Sequence, residues 1–111
     1  MLVSKQEGSK LPARIKPYSF HPEAETEADA AFENYWVRSA DAAFGFDQEL
    51  RDAYQTLQIH PLVCPPYLHG TRRVILERYP FSVIFRERLH DIQIIAVAHA
   101  KRRPGYWATR L

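Results

Sequence analysis

The sequence predicts an α+β domain: an N-terminal edge strand, a helical hairpin, then a three-stranded antiparallel meander. Two observations carry this. Apolar residues recur at spacings of three and four between residues 21 and 60, the period of a helix face. After Gly70 that period gives way to short runs rich in Val, Ile and Phe, the composition of strands. A chain of 111 residues, 46% hydrophobic and 25% charged, has the size and composition of one globular domain.

Residues 1–14 mix Ser, Lys, Gln, Glu and Gly without an apolar period, and are expected to form a flexible tail before a single domain at 15–111. Arg14 to Phe20 alternates partly through Ile15, Tyr18 and Phe20, and Pro17 suits an edge strand because it cannot donate to a ladder. His21-Pro22-Glu23 opens a helix, with Pro in the first turn and Glu23, Glu25 and Glu27 near the positive end of the helix dipole. Ala24, Ala28, Ala31, Phe32, Tyr35 and Trp36 form its buried face. Ser39-Ala40-Asp41 interrupts, and Ala43, Phe46, Leu50, Ala53 and Leu57 build a second helix up to His60-Pro61.

Pro65, Pro66 and Gly70 mark a loop out of the hairpin. Residues 72–78, 81–86 and 91–100 then read as the meander, under which an antiparallel sheet would lie against the hairpin by one face. The last run, with Ile92, Ile94, Ile95 and Val97, is apolar at nearly every position and suits a central strand with one face under the helices and the other partly covered.

Several classes of function are disfavoured. Cys64 is the single cysteine, in a loop without a nearby basic residue in sequence, so neither a disulfide nor an activated thiol is expected. His21, His60, His69, His90 and His99 lack metal-ligand spacing, and the four glycines never cluster into a phosphate loop, so no metal and no cofactor is expected. No run reaches the ~18 apolar residues of a membrane span, and the chain reads as cytoplasmic.

Charge is divided unevenly. Residues 1–69 hold six Lys/Arg against ten Asp/Glu, a balance of −4, and residues 70–111 hold nine against three, a balance of +6. The basic half points to a polyanionic or acidic partner. Its candidates are Arg73, Arg86, Lys101, Arg102 and Arg103, with Tyr106 and Trp107 able either to stack on a base or to close the core. His99 has the pKa range for acid–base work, although a His at a strand end is more often structural.

The run Arg73 to Phe85, through Tyr79-Pro80-Phe81, followed by Ile94 to Trp107, through His99-Ala100-Lys101-Arg102-Arg103-Pro104-Gly105-Tyr106-Trp107, resembles the C-terminal half of RelE/ParE superfamily toxins (the plasmid stabilisation protein family). The resemblance reaches back to Phe20-His21-Pro22-Glu23-Ala24 and Ile59-His60-Pro61. It implies a type II toxin, neutralised by a cognate antitoxin and oligomerising mainly through that complex. ParE-like members inhibit DNA gyrase, whereas RelE-like members cut messenger RNA on the ribosome; a decayed, non-toxic module is a third reading. The ribonucleases carry an arginine where this chain has Ser82, which ranks gyrase inhibition first. The groove between hairpin and sheet is the expected seat of an antitoxin helix.

Overall fold

The computed structural model describes residues 15–111, so the expected N-terminal tail lies outside the described residues. Strand β1 (Tyr18–Phe20) leads into helix α1 (Pro22–Trp36) and helix α2 (Ala40–Ile59); β2 (Arg72–Ile75), β3 (Phe81–Glu87) and β4 (Ile92–His99) follow.

Each helix is started by the residues that the sequence marks. Pro22 occupies the first turn of α1, and His21 Nδ1 accepts from the Glu23 backbone N–H at 3.1 Å, satisfying one of the orphan donors of the helix end. Ser39 caps α2 through Oγ, which accepts from Ala42 N–H at 3.2 Å. All five predicted core positions of α2 are buried. On α1 the stripe is less complete: Ala24 and Ala31 are buried, but Trp36 is half-exposed, stacked on Phe32 at 6.2 Å and edge-on to Phe44 at 5.7 Å. Gly45 lies where the Tyr79 hydroxyl approaches α2 closely enough to reach Ala42 O at 2.9 Å, and a Cβ there would meet that hydroxyl.

The sheet has the order β1-β4-β3-β2. The meander is antiparallel as expected, but β1 pairs with β4 in parallel, Tyr18 opposite Ile92 and Phe20 opposite Ile94. The expected antiparallel sheet is therefore a mixed one. The reason is topological: a parallel pair needs a long crossover, and the two helices lie in the connection that supplies it.

β4 is buried along most of its length. On one face Ile92, Ile94 and Val97 join Val83, Phe85, Phe46, Leu50 and Leu57 beneath the hairpin. A register shift opposite Ile84/Phe85 turns Ile95 and Ala96 to the other face, where they pack with Ile84 and Trp107. The segment after β4 thus folds back as a second cover, and Trp107 is only 1% exposed. Trp107 closes the core on this face, where it also borders a cavity.

The β3–β4 turn is tied at its base. Arg88 Nε and Nη2 donate to the Asp91 carboxylate, both at 2.7 Å, and Ser19 Oγ donates to it at 2.8 Å from β1. The Arg88 guanidinium, followed by the Ser19 hydroxyl, pulls the Asp91 carboxyl down to about 2. A depressed carboxyl stabilises the fold above its unfolded pKa of about 3.9, and that contribution disappears as pH falls through the folded value.

Trp107→Ala is expected to lower stability by about 3–5 kcal/mol, because it removes the cover over Ile84, Ile95 and Ala96; urea unfolding measures it. Asp91→Asn should be less stable than the parent at neutral pH by about 1 kcal/mol or less, since the pair is solvent-screened. Acid titration of unfolding should show the two proteins converging between about pH 4 and pH 2.

Candidate functional site

Strand alternation decides which basic residues meet. Val74 packs into the core under the helices, which turns Arg73 and Ile75 to the opposite face of β2. Arg73 lies opposite Ile84, and Ser82 lies opposite both Ile75 and Ala98. Together these residues floor a cavity of about 280 Å³, closed on its other side by residues 99–107. Its lining includes Arg73, Arg102, Arg103, Ser82, His99 and Tyr106, and contains no carboxylate.

Two guanidinium groups lie over tyrosine rings. The Arg73 guanidinium carbon lies 3.9 Å from the centroid of Tyr67, and that of Arg102 lies 3.7 Å from the centroid of Tyr106. The attraction of each cation to the ring face holds it in place while its N–H groups remain able to donate. Tyr67 comes from the Pro-rich loop, whose Tyr67 N–H donates to Thr71 O at 2.7 Å. Sequence reading treated that loop only as a connection.

Tyr106 is positioned from the far side of the sheet. Its hydroxyl donates to Glu27 Oε2 at 2.7 Å, and Arg110 donates to both Glu27 oxygens, at 3.0 and 2.9 Å. Glu27 Oε1 also accepts from Val97 N–H at 3.0 Å, at a point on β4 beyond its pairing with β1. Burial, reinforced by the Glu27 carboxylate, pushes the Tyr106 phenol well above its ordinary value, so it stays a neutral donor. In sequence Glu27 reads only as an acid near the positive end of the helix dipole. Its position three residues after Ala24 and four before Ala31 places it on the buried face of α1, and a carboxylate on such a face requires partners.

The remaining candidates separate. Lys101 is exposed on the turn and does not line the cavity. Arg86 is two residues along β3 from Ile84, also outside the lining, and its Nε donates to Gln93 Oε1 at 3.0 Å. His99 stands at the cavity's edge, but it pairs with Phe81 on the hairpin side of the sheet: its ring is edge-on to Phe81 at 5.0 Å, near Tyr35 and Arg38 at the end of α1, and its Nδ1 accepts from Lys101 N–H at 3.0 Å. Arg78 is drawn away to Glu49 on α2 at 3.2 Å. The Cys64 thiol is buried, and burial raises its pKa, so it behaves as a core residue.

Two further recesses flank the hairpin. One, of about 380 Å³, lies between α2 and β2, with Ala53, Val74 and Leu76 in its lining and Glu49, Asp52 and Glu77 among its charges. The other, of about 430 Å³, runs between the helices past Phe32, Phe44 and Leu50 and includes Glu25, Asp29 and Asp47. Among the described residues no group of His, Cys, Asp or Glu could hold a metal ion, and no helix is long and apolar enough to cross a membrane.

A helical hairpin on one face of a four-stranded mixed sheet is the fold of RelE/ParE superfamily toxins. The model of the family described as ParE toxin of type II toxin-antitoxin system, parDE, matches residues 18–104, and the chain belongs to that family. Among solved structures, one described as the chromosomal ParDE TA system from P. aeruginosa has a chain with the same fold, at a TM-score of 0.68 and 24% identity, covering 78% of this chain and 98% of that one. No curated protein matches.

Glu27→Ala is expected to cost about 3 kcal/mol or more, because the largely buried Arg110 guanidinium loses its counter-charge. Denaturant unfolding measures the loss, and Glu27→Gln should be milder because its side-chain oxygen still accepts one of these donors.

Proposed function

We propose that this toxin is neutralised by a cognate antitoxin and, when free, inhibits DNA gyrase through the face that carries Arg73, Arg102 and Arg103. The observation that carries this reading is the family match, which runs from β1 through β4 and into the turn holding both Arg102 and Arg103. The cavity chemistry supports it over messenger RNA cleavage. Cleavage would need activation of a 2′-hydroxyl, stabilisation of charge on the phosphate and a proton for the leaving oxygen. His99 is turned with Phe81 toward the hairpin, and the lining has no carboxylate, with Ser82 at the position where the ribonucleases have arginine.

The antitoxin is assigned to the recess between α2 and β2. An amphipathic helix could lay apolar side chains on Ala53, Val74 and Leu76 there while basic residues face Glu49, Asp52 and Glu77. Target and antitoxin would then occupy different faces of one small domain.

Purified chain is expected to stop DNA supercoiling by gyrase, and induction in a bacterial host should arrest growth with an SOS response. Arg102→Glu with Arg103→Glu should abolish both effects while circular dichroism and melting stay those of the parent. Rapid loss of translation with new codon-phased ends in messenger RNA would replace this reading with the ribonuclease one. A fully folded protein without effect on growth or supercoiling would identify a non-toxic module.

A further inference from the structure

We propose that the pocket where the end of α1 meets the start of β3 and the end of β4 is a binding site for a carboxylate group of a partner polypeptide, held by Arg38, Asn34, Tyr35 and His99. It lies on the hairpin side of the sheet, separate from the basic cavity, and it stands whether or not gyrase is the target.

The pocket has a volume of about 270 Å³, with Pro80 and Phe81 as apolar walls. Four polar side chains line it, those of Asn34, Tyr35, Arg38 and His99, and among the described residues the lining has no carboxylate. Arg51, Arg78, Arg88 and Arg110 each have an acidic partner, whereas Arg38 has none among the described residues. The Tyr35 hydroxyl, the Asn34 amide and His99 Nε2 likewise make no hydrogen bond to a described residue. None of these atoms is a buried orphan, so all remain open to a ligand.

Two of the four are held in place. The Tyr35 ring packs against Phe46 at 5.2 Å and stands edge-on to Tyr79 at 5.1 Å. Burial, followed by the Tyr79 phenol, raises the Tyr35 hydroxyl above its ordinary value, so it stays a neutral donor; the Arg38 charge opposes that shift, which reflects its nearness to the same group. The His99 ring is edge-on to Phe81, and because its Nδ1 accepts from the Lys101 N–H, the ring proton lies on Nε2, which is left to donate.

A set made of donors calls for a ligand that only accepts. An ionised carboxylate does so at about four lone-pair positions on two oxygens, and the planar fork of Arg38 matches that geometry. Charge decides between carboxylate and phosphate. The C-terminal end of α1 carries the negative pole of the helix dipole, so one guanidinium can neutralise a single negative charge but leaves a phosphate dianion in excess. The volume falls below the roughly 300–1,000 Å³ of small-molecule sites and suits one acidic side chain or one chain terminus. Trp36 and Val37, between Tyr35 and Arg38 in sequence, are 50% and 80% exposed. Apolar surface beside a charged anchor is what a polypeptide covers and a free acid does not.

The test is an NMR titration of the full chain with sodium acetate, following the His99 ring and the Asn34 side-chain amide. Both signals should move saturably. Arg38→Gln should weaken acetate binding about tenfold or more, the loss expected for a hydrogen bond to a charged group, and Tyr35→Phe, which keeps the ring, about threefold. Arg51→Gln, on α2 and paired with Asp47, should leave the titration unchanged. Doubly capped glutamate and N-acetylalanine then separate the sources: tighter binding of the first assigns the carboxylate to an acidic side chain, tighter binding of the second to a chain terminus, and either supports the site. Absence of a saturable shift, a titration unaltered in Arg38→Gln, shifts centred on Tyr106 in the basic cavity, or tighter binding of inorganic phosphate than of acetate would each overturn it.

Discussion

The central strand β4 is apolar on both faces, and a strand of that kind must be covered twice or leave its side chains in water. The hairpin supplies one cover. The other is a short segment of low regularity, residues 100–111, which could not hold itself against a sheet by backbone pairing. It is fastened by Trp107 beneath and by the Glu27 carboxylate at the side, which reaches past the edge of the sheet to Tyr106, Arg110 and the Val97 N–H. Because Arg102 lies on the ring of Tyr106, the same anchoring that protects the core also places part of the basic surface.

Much of the fold was legible because its signals are local. The five apolar positions of α2 at alternating spacings of three and four, the Pro22 start, the Ser39 cap and the stop at His60-Pro61 are each decided within a turn or two of chain. Strand identity was likewise visible in the Val and Ile runs. The direction of β1 was not, because a three-residue strand carries no trace of which distant neighbour it joins or in what sense. Trp36 was placed on the buried face by its spacing, yet that spacing drifts off the stripe at the helix end, where Phe44 receives it instead.

The candidate site was half visible. Composition found the basic half of the chain, and the resemblance singled out Ser82, which does lie on the cavity floor. Sequence order grouped Lys101 with Arg102 and Arg103, but a tight turn sends consecutive side chains in different directions, so only the two arginines reach the cavity. Arg73 and Arg86 share the face opposite Val74 and Val83, and what separates them is distance along the sheet, which only the strand register fixes. Tyr67 left no signal in a loop defined by its prolines. Glu27 did leave one, as an acidic residue inside an alanine stripe, and it was masked by the bland explanation that acids suit the start of a helix.

The bond from Glu27 to Arg110 joins residues 83 positions apart, and that from Ser19 to Asp91 joins residues 72 apart. Contacts of such long span require both ends of the span to have been made and the loop between them to be closed. During synthesis the hairpin can therefore collapse early, while Arg102 has no fixed platform until the residues that lock Tyr106 have left the ribosome. The order in which the polypeptide is made keeps this basic surface incomplete until nearly all of the described chain exists.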